Sequence, residues 1–313
     1  MAAETTHVPV LLGPALDALQ ISPNGVLVDG TYGRGGHSTA MLEQLGPDGR
    51  LIVVDQDPEA IADATARFGA EPRVTVWPGN FGELERLGQE TGVAGQVTGL
   101  LLDIGVSSPQ LDDPARGFSF REDGPLDMRM NNQGGQTAAE WLAEVEESTL
   151  AGVIKEYGEE RHARRIARQI VMARSEQSIE TTARLAAVVA RAAGPSPADR
   201  HPATRTFQAI RIHINDELGA LDRALDQAVD LLAPGGRLAV ISFHSLEDRR
   251  VKQVFRRLSS PPPASRRQPM APDFHPRLRL VGRMIKPDPA ELSRNPRARS
   301  ACLRVAERLG EST

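Results

Sequence analysis

The chain has 313 residues, 40% of them hydrophobic and 25% charged, which is long enough to bury a substantial core and is not the composition of a disordered protein. Its one cysteine, Cys302, excludes an intrachain disulfide and a cysteine-rich zinc site, and no uncharged run reaches the roughly 20 apolar residues of a membrane helix. The net charge of −4 excludes a wholly basic nucleic-acid binder, and the lack of a basic flank before the first apolar stretch argues against a secretory signal, so we expect a cytoplasmic protein.

In the first hundred residues, short apolar runs alternate with segments of helical periodicity. The pattern predicts strands at residues 25–29, 51–54, 74–77 and 99–102, and helices at 38–45 and 58–68. Continuous runs of Val, Ile and Leu between helices are typical of a parallel sheet that is covered on both faces. This part of the chain therefore predicts a doubly wound α/β fold.

The pattern changes after Gln110. Residues 111–130 are rich in Gly, Pro, Asp and Arg and predict a loop, residues 137–193 are mostly helical, Pro195-Ser-Pro197 breaks the run, and a helix resumes at 204–216. The α/β pattern returns with a helix at 216–232, a turn at 233–236 and a strand at 237–242; residues 259–276 predict a mobile loop, and two last strands are expected near 280–285 and 300–306. We therefore expect one α/β domain, residues 1–110 and 214–313, with an all-helical domain, residues 111–213, inserted into it.

A glycine-rich loop joins the first predicted strand to the helix after it. The loop runs Asp29-Gly-Thr-Tyr-Gly-Arg-Gly-Gly-His37, and Asp55 ends the second strand 20 residues after Gly35. Glycines at such a turn allow close approach of a ligand to the backbone, and an acidic residue at the next strand end suits two ribose hydroxyls. The residues indicate an adenosine-containing cofactor without saying which. The spacing is not G-x-G-x-x-G, which weakens the case for NAD, and the same glycines also suit a tight turn with no ligand.

A second polar segment follows the fourth strand, Asp103-Ile-Gly-Val-Ser-Ser-Pro-Gln110. Ligands of open parallel sheets lie beyond the carboxyl ends of the strands, so Asp103 should face the same crevice as Gly35 and Asp55. Acidic, hydroxyl and amide groups at that point suit an amino group. Ser107 to Gln110 would also suit ordinary turn chemistry.

Together with further segments, these motifs resemble the MraW family over nearly the whole chain. The additional matching segments are His7-Val-Pro-Val-Leu-Leu12, Arg116-Gly-Phe-Ser-Phe120, Gly124-Pro-Leu-Asp-Met-Arg-Met130, Tyr157-Gly-Glu-Glu-Arg161, His201-Pro-Ala-Thr-Arg-Thr-Phe-Gln208, Ser242-Phe-His-Ser-Leu-Glu-Asp-Arg249 and Asn295-Pro-Arg-Ala-Arg-Ser300. The resemblance implies a Rossmann-like class I methyltransferase sheet with a helical insertion. It also implies a bacterial enzyme that uses S-adenosyl-L-methionine to methylate the N4 amine of a cytidine in 16S ribosomal RNA.

The resemblance also implies roles for particular residues. The cofactor-binding residues would be Gly33, Gly35, Gly36, His37, Asp55, Phe81, Asp103 and Gln110. Because the lone pair of a cytosine amine is delocalised into the ring, attack on the methyl group requires a held, pyramidalised amine. We expect either Asp103 or the backbone and hydroxyls of Ser107 and Ser108 to accept the amine hydrogens, with the proton leaving afterwards to water. An exocyclic amine attacks directly, so neither a metal nor a nucleophilic cysteine is expected.

RNA contacts are predicted at aromatic and basic residues, because proteins read RNA through unstacked bases and phosphates. The candidates are Phe118, Arg129, His244, Ser245, Arg297 and Arg299. From Asp248 onward the chain carries 16 Lys and Arg against 6 Asp and Glu, a net charge of +10, while the preceding residues carry −14. Arg161, Arg164, Arg165 and Arg168 recur at helical spacing, which suits phosphate binding or a solvated helix face equally.

The expected partner is 16S ribosomal RNA or the small ribosomal subunit, with no membrane and no metal, and the oligomeric state stays open. Three other functions are compatible with the same residues: a methyltransferase for DNA or protein, a non-catalytic RNA-binding or assembly factor, and a nicotinamide oxidoreductase that shares only the fold.

Overall fold

A computed structural model of the chain describes residues 9–194, 201–261 and 274–310. The predicted break at Pro195-Ser-Pro197 lies outside the described residues, as do His7 and Val8 of the first motif and residues 262–273 of the predicted loop.

Within the described ranges, seven strands form one mixed sheet. They are β1 (Val26–Asp29), β2 (Arg50–Asp55), β3 (Val74–Pro78), β4 (Val97–Asp103), β5 (Leu232–Ser242), β6 (Leu278–Leu280) and β7 (Cys302–Arg308). The spatial order is β3-β2-β1-β4-β5-β7-β6. The first five strands are parallel, and β7 runs antiparallel to both β5 and β6. The predicted doubly wound α/β sheet is confirmed.

Helices cover both faces of this sheet. Those of the sheet unit are α1 (Leu12–Leu19), α2 (Gly36–Gln44), α3 (Pro58–Phe68), α4 (Leu84–Thr91), α11 (Glu217–Leu231), α12 (Ser245–Ser259) and α13 (Pro289–Arg294). Buried side chains of α1, α2 and α3 pack on one face, and those of α4, α11 and α12 pack on the other. The sequence sets the helix ends locally: α3 begins where Asp57 accepts the backbone N–H of Glu59, with Pro58 in the first turn.

Strand register brings four carboxyl ends to one edge of the sheet. Asp29 of β1 pairs with Val53 of β2 and Leu101 of β4, and Asp103 pairs with Ile241 of β5. The residues that follow these strands therefore lie side by side, where open α/β sheets bind their ligands.

The remaining helices form a second compact unit. They are α5 (Ser108–Asp112), α6 (Ala138–Glu144), α7 (Glu147–Gly158), α8 (Ala163–Glu176), α9 (Thr182–Ala193) and α10 (Thr204–Ile214). Their apolar faces enclose a core of their own, which includes Ile166, Leu185 and Ile210. The two units join at residues 105/106 and 217/218, against 110/111 and 213/214 in the sequence analysis.

Two predicted elements differ in detail. The strand expected at 280–285 is instead β6, two residues earlier, because Gly282 has a φ of +66° and residues beyond Val281 leave the sheet, apart from a single bridge between Ile285 and Leu303. The turn expected at 233–236 lies within β5, where the ladder with β4 passes from Leu232 directly to Arg237.

Candidate active site

The glycine loop between β1 and α2 holds two glycines in the left-handed region, Gly33 at a φ of +56° and Gly35 at +69°. A Cβ on Gly35 would lie 2.6 Å from the ring of Tyr32, and a Cβ on Gly36 would lie 2.2 Å from Pro9. Tyr32 is itself fixed, because its hydroxyl donates to Asp63. Only glycine fits at positions 35 and 36, and a ligand at this edge of the sheet could therefore approach the loop backbone closely.

Asp29, the last residue of β1, stabilises this loop through hydrogen bonds to both of its ends. Its carboxylate accepts the Ser38 hydroxyl at 2.6 Å and the Thr31 N–H at 3.2 Å, and burial raises its pKa. Thr31 in turn accepts the backbone N–H of Asp103 through its own hydroxyl at 2.7 Å. Asp29 and Thr31 are not among the predicted site residues, yet their hydrogen bonds connect the end of β1 to the end of β4.

Asp55 ends β2 beside the same loop. Its Oδ2 accepts the Gly33 N–H and its Oδ1 accepts the Asp57 N–H, both at 2.9 Å. Burial raises the pKa of Asp55 to about 6, although the two backbone hydrogen bonds oppose the shift. The carboxylate is thus held in one orientation, with lone pairs left on both oxygens.

Phe81 begins a single turn of 3-10 helix after β3. Asn80 fixes that turn, because its side chain accepts the Gly82 N–H at 2.7 Å and donates to Gln56 at 2.8 Å. The half-buried Phe81 lies against the glycine loop: its Cβ is 3.6 Å from the position of a Cβ on Gly30. The structure therefore brings Phe81 and Asp55 to the same edge as the loop.

Asp103 is the chemically unusual group of this edge. Its side chain is 23% exposed, and its Oδ2 lies 3.7 Å from Nδ1 of His37. Among the described residues, the buried Oδ1 has no hydrogen-bond partner. Burial raises the pKa of Asp103 well above its ordinary value, and the charges of Asp29 and Glu247 raise it further. Such a carboxylate is suited to a ligand that brings a positive charge or a hydrogen-bond donor.

His37 has its other ring nitrogen, Nε2, 3.1 Å from the Val10 carbonyl oxygen. That contact places the ring proton on Nε2 in the neutral tautomer and directs Nδ1 towards Asp103. The predicted cofactor residues of the sheet unit therefore lie together at the carboxyl edge of the sheet, where the His37 ring faces the Asp103 carboxylate.

At the end of β5, His244 precedes α12 and Ser245 begins it. The His244 side chain is 15% exposed, and its Nε2 lies 2.9 Å from Oε1 of Glu247. Glu247 is not among the predicted site residues, since a Glu in the first turn of a helix usually caps that helix at the surface.

Ser107, Ser108 and Gln110 belong to the helical unit, at the start of α5. The Gln110 Oε1 accepts the Ser107 N–H at 2.9 Å in a capping box, and Gln110 is buried. The capping interaction gives Gln110 a local structural role. Its predicted contact with the cofactor stays a prediction, as do the amine contacts of Ser107 and Ser108.

Two predicted RNA contacts are engaged within the helical unit itself. Phe118 is only 6% exposed, with the Arg116 guanidinium 5.9 Å from the ring centroid, so it packs as a core residue rather than presenting a stacking face. Arg129 makes a two-pronged ion pair with Asp127, at 2.8 and 2.7 Å. Neither arrangement favours RNA binding.

The remaining basic candidates lie at the surface. Arg297 and Arg299 are exposed on a 3-10 turn, Pro296–Ser300, between α13 and β7. In α8, Arg164, Arg165 and Arg168 are exposed, and one of them, Arg165, donates to the Ala193 carbonyl at 2.7 Å. These positions leave their predicted phosphate contacts open as predictions.

No helix of the described ranges has the length and apolar character to cross a membrane. In the same ranges, no group of three or more His, Cys, Asp or Glu side chains is arranged to hold a metal ion.

Comparison with known proteins gives a consistent result over the full chain. Residues 4–309 match the model of the MraW methylase family. The chain is 58% identical over 304 residues to ribosomal RNA small subunit methyltransferase H of Xanthomonas euvesicatoria pv. vesicatoria, covering 97% of this chain and 89% of that protein. Proteins of the same name from Thioalkalivibrio sulfidiphilus and Halorhodospira halophila are 55% and 56% identical, covering 97% of this chain and 97% and 95% of theirs. The chain belongs to the MraW methylase family.

Proposed function

We propose that this protein is an S-adenosyl-L-methionine-dependent methyltransferase that methylates the N4 amine of a cytidine in 16S ribosomal RNA. The observation that carries the proposal is the buried Oδ1 atom of Asp103, which has no hydrogen-bond partner among the described residues and lies between the glycine loop and the end of β5. The family and the names of its relatives support the ribosomal RNA substrate.

The sheet edge fits an adenosyl cofactor. The glycine loop offers backbone groups that no side chain of its glycines covers, the fixed carboxylate of Asp55 suits the two ribose hydroxyls, and Phe81 offers an apolar surface for the adenine. When bound, S-adenosylmethionine supplies a methyl group on a positively charged sulfur. Asp103 would hold the methionine end, since its buried oxygen gains a partner there.

Asp103 would also act on the acceptor. In its ionised form it would accept a hydrogen bond from the N4 amine of the cytidine. That bond would favour the positive charge that develops on the nitrogen as the N–C bond forms and the bond between the methyl group and the cofactor sulfur breaks, leaving a neutral thioether. One proton then leaves the amine, by a relay to water. The hydroxyls of Ser107 and Ser108 would also accept hydrogen bonds from the cytidine amine and so help to orient it. Arg297 and Arg299 would contact RNA phosphates.

Replacing Asp55 by Ala is expected to weaken cofactor binding by about 10- to 100-fold, since two hydrogen bonds to a charged acceptor are lost. Because the pKa of Asp55 is about 6 in the free protein, wild-type affinity should also fall as the pH drops below about 6. Isothermal titration calorimetry measures both effects. Asp48→Ala, at an exposed turn residue, is the control; an affinity unchanged by Asp55→Ala would contradict the ribose role.

An acceptor comparison tests the proposed function. The purified protein is incubated with methyl-labelled S-adenosylmethionine and, in turn, with 16S ribosomal RNA, small subunits, DNA and a protein mixture. We expect label in N4-methylcytidine of the ribosomal RNA, with or without its bound proteins. Label in DNA, in protein or on another base atom would contradict the proposal, and no incorporation with any acceptor would favour a non-catalytic RNA-binding factor.

A further inference from the structure

Glu247 is a charged side chain in an unusual place. It lies in the first turn of α12, yet it is only 1% exposed. A buried carboxylate is costly unless its oxygens are paired, so such a residue has a specific set of contacts to explain it.

Those contacts all go to the turn that links β5 to α12. The Oε2 atom of Glu247 accepts the backbone N–H of Phe243 at 2.8 Å and that of His244 at 3.2 Å. The Oε1 atom lies 2.9 Å from Nε2 of His244. One carboxylate therefore fixes the backbone of this turn through two hydrogen bonds, and its Oε1 lies beside the imidazole without the alignment of a hydrogen bond.

The turn lies against the end of β4, where Asp103 is found. The backbone N–H of Ile104 donates to the Ile241 carbonyl at 2.9 Å, which continues the ladder past Asp103. A Cβ on Gly105 would lie 3.6 Å from the Phe243 ring. A shift of the turn would therefore displace the end of β4 and with it Asp103, the group that we assign to the cytidine amine.

We propose that Glu247 is a positioning residue for methyl transfer, which acts by holding His244 and the 243–244 turn beside Asp103. This inference rests on the proposed function. In this role Glu247 would act through the residues that border the acceptor, by setting the place of the 243–244 turn. The alternative is that its carboxylate serves only to cap α12.

Glu247→Gln separates these roles, because the amide oxygen still accepts the two backbone N–H groups while the negative charge beside His244 is removed. We expect kcat to fall by about 10- to 100-fold, as for a misplaced acceptor, with cofactor affinity measured by calorimetry within about 3-fold of the wild type and an unchanged Tm. Asp248→Asn is the matched control on the same turn of α12, since that carboxylate pairs with Arg304 instead, at 2.6 and 3.0 Å.

The double variant Glu247→Gln His244→Ala tests whether the two residues act together. If Glu247 works through His244, the double variant should lose no more kcat than His244→Ala alone. Independent, multiplying losses would overturn the inference, and so would a Glu247→Gln protein with wild-type kcat, which is the result for a helix cap alone. Failure of the proposed function is distinguished by the wild type itself, which would then methylate no ribosomal RNA.

Discussion

Asp103→Ala is expected to lower the rate of methyl transfer by at least about 10²- to 10³-fold while the protein stays folded. The reason is that this single carboxylate is assigned both to the cofactor and to the amine, and loss of one such electrostatic contact in a transition state has effects of this size. The Asp103 side chain accepts no hydrogen bond from the described residues through its Oδ1, so its removal leaves no donor of the sheet unit without a partner there. Methyl incorporation into ribosomal RNA measures the loss, and a variant with wild-type turnover would remove the assignment.

Asp103→Asn tests the effect of the same carboxylate on stability, where we expect a gain in Tm rather than the loss expected for activity. The pKa of Asp103 is raised in the folded protein, so the folded state holds this proton more tightly than the unfolded chain does. The stability that this proton gives is present at acidic pH and is lost as the pH rises through the folded-state pKa. Asn stays neutral throughout, so we expect the variant without cofactor to have a Tm similar to that of the wild type below the ordinary carboxyl pKa and a higher Tm above the folded-state pKa, with the difference growing between the two. A lower Tm at every pH would contradict the buried-charge account.

Binding of a cationic cofactor should reverse this difference. Saturating S-adenosylmethionine is expected to raise the Tm of the wild type, whereas the Asp103→Asn protein should respond weakly because its neutral amide offers the sulfonium no counter-charge. The comparison separates a residue kept for its function from one kept for stability.

Gly35→Ala is expected to weaken cofactor binding by at least about 10-fold and to lower the Tm. The left-handed backbone at a φ of +69° costs a residue with a side chain about 1–2 kcal/mol. The new Cβ would also lie 2.6 Å from the ring of Tyr32, which is buried and hydrogen-bonded to Asp63. The ring cannot yield without moving the loop, so the backbone groups that face the cofactor should be displaced.

Gly92→Ala is the matched control for that substitution. Gly92 has nearly the same φ, +67°, and a Cβ there meets no atom within 4 Å among the described residues. We expect a modest loss of Tm from backbone strain alone, with cofactor affinity unchanged. Calorimetry and thermal denaturation on both variants make the comparison; equal affinities for Gly35→Ala and Gly92→Ala would contradict the cradle role of the loop.

The sheet could be predicted from the sequence because its central strands are buried on both faces. Leu100, Leu101 and Leu102 form such a run, which has no other common explanation between two helices. The β6 strand was placed two residues late, because its apolar residues continue into a segment whose Met284 and Ile285 are each 38% exposed. Periodicity does not distinguish apolar residues that enter a sheet from those that leave it.

The candidate site was predicted where chemistry and strand ends coincide, as at Asp55 and Asp103. It was not predicted where burial decides the role. Glu247 has the sequence position of an ordinary helix cap, and only its place beneath the β5 turn removes it from water. Conversely, Arg129 is of a residue type that often contacts RNA, but its guanidinium already forms an ion pair with Asp127, two residues away.

Mapping of 16S ribosomal RNA modifications by mass spectrometry, in cells with and without this protein, tests the central claim most directly. We predict that one cytidine which carries an N4 methyl group in wild-type cells has none in cells that lack the protein. Expression of the wild-type chain should restore that methyl group, whereas the Asp103→Ala variant should not. An unchanged set of N4-methylated cytidines in cells without the protein would contradict the account.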